Sequence, residues 1–178
     1  MSEPSPSAAD TEQRPTSILA VYAWDSLLAL FAILGALLPF GSSIDIGGGR
    51  GADVPVIVQV LLGLQGAAYA AAVIIVMIFL TRRLAWVRQA QMAVLGLAIL
   101  LAVVSIGVRA LVHHDVDQSQ ALSNLVFVLV DVLMLFIMTA EKLRAWYAGP
   151  GPMPSWVRAT IALWAAGGVA VVVATALT

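Results

Sequence analysis

The chain has 178 residues, 61% of them apolar and 11% charged, with a net charge of −1 and no cysteine; its mean hydropathy is +0.98. Soluble domains run about 45–50% apolar and about 25% charged, and a chain this short cannot hide so much apolar surface in its own interior. The composition excludes an ordinary soluble domain, the charge balance gives no reason to expect nucleic acid, and the lack of Cys excludes disulfides, thiolate metal sites, iron–sulfur clusters and covalently attached c-type haem.

Residues 1–17 are rich in Ser and Pro and carry Glu3, Asp10 and Glu12. A secretory signal opens with basic residues before its apolar run, so this segment reads as a retained, disordered cytoplasmic tail. The remainder, 18–178, reads as one transmembrane helical domain. A helix crosses about 30 Å of hydrocarbon with roughly 20 mostly apolar residues. Five runs meet that length: 18–40, 56–80, 90–112, 121–140 and 156–177. None alternates polar with apolar as the strands of a membrane barrel do. The expected fold is therefore all-α, a polytopic bundle of about five transmembrane helices with short loops and antiparallel neighbours.

The connections differ in kind. Residues 41–54 form a Gly-rich loop; its Gly47-Gly-Gly-Arg-Gly51 cluster lacks the GK[ST] ending and the preceding strand of a phosphate-binding loop. Run four is expected to continue as helix through Glu141–Tyr147, until Pro150, Pro152 and Pro154 stop it. The link between runs two and three holds Arg82, Arg83 and Arg88, and that between runs four and five holds Lys142, Arg144 and Arg158. Basic residues favour the cytoplasmic side. With Arg14, this places the N-terminus inside and the C-terminus outside, leaving only Arg50 and the membrane-edge Arg109 external. Tyr22, Trp24, Trp86, Trp146, Tyr147 and Trp156 all fall near the inner ends of their runs, as interfacial aromatics do; Tyr69 and Trp164 lie deeper. The expected location is a bacterial cytoplasmic membrane.

Acids within a span are costly and usually face protein or water, which makes them functional candidates. Asp131 lies near the middle of run four, Gln65 near the middle of run two and Asp25 in run one. At about 1.5 Å per residue, Gln65 and Asp131 come at about 14 and 15 Å from the outer edge and Asp25 at about 22 Å. Gln65 and Asp131 are thus expected to share a layer with Asp25 below it. Small residues accompany them: Ala29, Ala32 and Ala36 follow Asp25, Gly63, Ala67 and Ala71 run along the second span with Gly66 and Ala70 beside them, and Ala98, Ala102 and Ser105 lead to Arg109 in the third. Such stripes let helices approach without intervening lipid. Arg109 and Asn124 are the polar residues of the outer edge. His113, His114, Asp115 and Asp117 gather metal-capable groups in one turn, but adjacent His side chains seldom converge on one ion, and the expectation is no metal, no haem and no other cofactor.

No G-x-S-x-G or H-E-x-x-H occurs, so no catalytic residue is assigned. The leading expectation is a non-enzymatic accessory or structural subunit, with the lipid bilayer and a membrane-protein partner or second copy as its neighbours. The alternative is a small transporter or channel component, proton-coupled through Asp131 with Asp25 and Gln65. A lipid-active membrane enzyme is the third reading.

Overall fold

The computed structural model describes residues 15–37, 56–112 and 118–177. The tail to Arg14, the Gly41–Val54 loop and the His113–Asp117 turn lie outside the described residues. Within them are six helices: α1 (Ser17–Leu37), α2 (Val56–Phe79), α3 (Ala85–Val112), α4 (Gln118–Thr139), α5 (Glu141–Trp146) and α6 (Ser155–Leu177). All but α5 are long and apolar enough to cross a membrane. Their outer faces carry Leu19, Leu30, Leu64, Ile78, Leu100, Phe136 and Leu163, all exposed. Lipid would cover such a surface at no cost, whereas water would not.

Two boundaries differ from the sequence expectation. Helix α4 does not run on through Tyr147. It ends at Thr139, because Ala140 takes an extended backbone (φ −56°, ψ 140°), and α5 starts afresh in a new direction. The break buries Leu143 and Tyr147 in the bundle and lets the Tyr147 hydroxyl donate to the Leu80 carbonyl at 2.5 Å. It also leaves late carbonyls of α4 without helical donors; Arg88 Nε donates to the Met138 carbonyl at 2.8 Å. Arg88 can do so because α3 begins at Ala85, earlier than the apolar run, which puts Arg88 on a helix and not in a loop.

The helices pack in the order α1–α2–α6–α3–α4, with α2 also touching α3. Helix α6, last in the chain, is thus inserted between α2 and α3. Glycine makes room for it. A Cβ on Gly168 would come within 2.6 Å of Leu101 on α3, and one on Gly167 would meet Gln65 on α2 at 3.6 Å. Similarly, a Cβ on Gly66 would approach the Ala36 backbone within 3.0 Å, which fixes where α1 crosses α2. The close faces match the expected small-residue stripes only in part. Gly63 and Ala70 of α2 are buried, while Ala67 and Ala71 point outward.

The end of the bundle holding the start of α1, the end of α2, the start of α3 and α5 is the tightly packed one. Ile18, Val21, Val76, Leu80, Val87, Ala90, Met138 and Leu143 are essentially inaccessible there. Phe79 packs on Trp86 (5.2 Å between centroids), and the Arg83 guanidinium lies 4.1 Å from the Trp146 ring centre. A backbone staple closes this end: Leu84 pairs with Gly149, and the Ala85 N–H donates to the Gly149 carbonyl at 3.1 Å.

The staple has no room for a side chain, since a Cβ on Gly149 would stand 1.9 Å from the Arg83 carbonyl oxygen. Gly149→Ala is expected to cost about 1–3 kcal/mol through overpacking against backbone, seen as an earlier thermal transition by circular dichroism in detergent. Gly96→Ala, which would meet no atom within 4 Å, is the control, and equal behaviour of the two variants would remove the staple from the account.

Candidate functional site

Three polar side chains are buried among the described residues: Asp25 at 2% exposure, Gln91 at 1% and Asp131 at 5%. They come from α1, α3 and α4, and two hydrogen bonds link those helices. Gln91 Nε2 donates to Asp25 Oδ1 at 2.9 Å. The Trp24 indole Nε1 donates to Asp131 Oδ1 at 2.7 Å. Trp24 and Asp25 are neighbours in sequence, so one turn of α1 reaches both α3 and α4. Between helices in a bilayer such bonds contribute about 0.6 kcal/mol on average and up to about 1.7. Asp25 Oδ2 is buried with no partner.

Helices α1 and α4 stand at opposite ends of the packing order and are not among the closely packed pairs. Side chains close the seam between them. Besides the Trp24–Asp131 bond, Phe127 lies 5.7 Å from the Trp24 ring and 5.6 Å, edge to face, from Phe31. Aromatic pairs at this spacing contribute about 0.5–1.5 kcal/mol beyond their burial.

Beside the seam lies an open cavity of about 560 Å³, lined by all five long helices. It lies in the half of the bundle away from the packed end, toward the last turns of α1, α3 and α6 and the first turns of α2. Asp131 lies on its wall at the boundary with the packed half, and Gln65, Tyr69, Ser105 and Trp164 are its other polar residues. Tyr69 and Trp164 stack at 4.8 Å with 25° between their planes. The Trp164 indole N–H is buried and has no partner.

Of the residues singled out in the sequence, Asp131 and Gln65 both line this cavity, and Asp25, buried against Gln91, is not among its lining residues. Asn124 is half-buried near the start of α4. Arg109 is placed on α3, one turn beyond Ser105, but its side chain, like all of His113, His114, Asp115 and Asp117, lies outside the described residues. The described residues contain no group of three His, Asp or Glu able to hold a metal ion. Sequence reasoning passed over Gln91, an amide in an apolar stretch two turns into its helix. It also left Tyr69 and Trp164 as exceptions to the interfacial belt, although aromatics with polar edges deep in a span are themselves a sign of an internal site. Comparison with family models, curated proteins and solved structures finds no match to this chain.

Gln91 is the donor that Asp25 Oδ1 depends on. Gln91→Leu leaves a buried carboxyl with neither oxygen paired and is expected to cost about 1–3 kcal/mol. Removing both partners, in Gln91→Leu/Asp25→Val, is expected to be the milder change by detergent unfolding; a double variant weaker than the single would show that the pair does not act as a unit.

Proposed function

We propose that the chain is a multi-pass membrane protein of a bacterial cytoplasmic membrane, N-terminus inside and C-terminus outside, that takes a small molecule into its outer half as a transporter or channel component. The observation that carries this reading is the cavity of about 560 Å³ with Asp131 on its wall. Small-molecule sites commonly have about 300–1,000 Å³, mostly apolar walls and a few convergent polar groups, and this one has that make-up. The basic residues support the sidedness: Arg82, Arg83, Arg88, Lys142, Arg144 and Arg158 all gather at the packed end, which the positive-inside rule makes cytoplasmic. The cavity then opens toward the outside, and the packed half forms its floor.

A second reading, an accessory subunit held against a partner helix, is favoured by α4, where Leu122, Leu125, Leu129, Val132 and Phe136 form one exposed stripe. A stoichiometric partner recovered from native membranes in mild detergent would support it.

The absence of cysteine gives a clean background for labelling. In right-side-out vesicles, Ser105→Cys on the cavity wall is expected to react with a water-soluble methanethiosulfonate, as is Thr178→Cys. Leu95→Cys in the packed core stays inert, and Ser2→Cys reacts only after the vesicles are opened. A Ser105→Cys as unreactive as Leu95→Cys would overturn the water-accessible cavity, and reversed labelling of the termini would overturn the orientation.

A further inference from the structure

Resting on the cavity reading above, we propose that the site selects a lipophilic cation, a protonated or quaternary amine with an apolar body, and sets its charge against Asp131.

The charges of the wall point this way. Among the described lining residues Asp131 is the one acid, and none is Lys or Arg. A ligand carboxylate or phosphate would find no cationic partner among the described wall residues. A neutral ligand would forgo the acid, whose carboxylate form can accept at both oxygens while Trp24 holds only Oδ1. Asp25, next to Trp24 in the chain, is a second buried acid, bonded to the neutral Gln91 amide. The remaining polar groups, Gln65, Tyr69, Ser105 and the partnerless indole N–H of Trp164, are uncharged amide, hydroxyl and indole functions. Arg109 lies one turn past Ser105 toward the end of α3.

The rings point the same way. Phe31, Phe127, Tyr69 and Trp164 all line the space, and a cation over an aromatic face gains about 0.5–2 kcal/mol, most when desolvated. A bare inorganic cation is a poor fit, because hard ions demand six or more oxygens and the wall offers few. The occupant has to bring apolar surface for the Leu, Val and Ala walls and one positive charge for the acid.

The test uses the full chain in lipid nanodiscs and three probes of one shape: tetraphenylphosphonium, tetraphenylborate and neutral tetraphenylsilane, with binding to empty nanodiscs subtracted. Saturable binding of the phosphonium is expected, with affinity about tenfold or more above that of the borate, a gap of about 1.4 kcal/mol. Asp131→Asn, whose amide oxygen can still accept from Trp24, is expected to erase that preference. Equal binding of the two ions, a preference for the borate, or a preference that persists in Asp131→Asn overturns the inference. The comparison of ions on the unaltered protein decides the matter even if the variant does not fold. Binding of the neutral probe alone also overturns it, yet leaves the cavity reading standing; with no probe bound the inference fails, and Ser105→Cys labelling then decides the cavity by itself.

Discussion

The Trp24–Asp131 hydrogen bond is the contact on which the shape of this bundle turns. The five long helices form a row, α1–α2–α6–α3–α4, in which each pair of neighbours packs closely and the two ends do not. An open row would leave a groove on its inner face. The indole of Trp24 crosses from α1 to α4 and, with Phe31 and Phe127, joins the two ends of the row beside the cavity. The bond matters for a specific reason: a buried carboxyl without a hydrogen bond is costly, and Trp24 supplies the donor that Asp131 Oδ1 has in the structure.

The two halves of the bundle are built by opposite means. At the packed end, bulky residues fill the space between helices and loose backbone ends are tied: Arg88 to the Met138 carbonyl, Tyr147 to the Leu80 carbonyl, Leu84 to Gly149. In the other half the facing residues are small. Gly35, Gly66, Ala98, Ala102 and Gly168 border the cavity, and the helices there touch through glycine and alanine at a few crossing points. Small residues bring helix backbones together at a crossing, but away from it they leave volume unfilled. Close approach and cavity thus share one cause.

That division explains what was legible in the sequence. Span number and approximate bounds follow from run length and hydropathy, quantities local to each segment. The gathering of Gln65 with Asp131 followed from counting residues along straight helices, since depth is conserved whatever the lateral arrangement. The lateral arrangement was not legible. Helix α6 slots between α2 and α3 because Gly167 and Gly168 permit it, and an adjacent pair of glycines does not say which helices it faces. Gln91 went unnoticed because an amide two turns into a helix resembles an interfacial residue until its partner on α1 is known. The break at Ala140 has no local signal either. Alanine is a good helix former, and the burial of Leu143 and Tyr147 outweighs its preference.

The two acids illustrate how burial and access separate roles that composition alone would equate. Asp25 and Asp131 are both buried, both lack a basic partner among the described residues and each accepts one bond from a neutral donor. Asp25 is bonded to Gln91, with its other oxygen buried and unpaired, and it is not among the residues that line the cavity. Asp131 borders open volume. In the reading proposed above, Asp131 is therefore the acid that an incoming group meets.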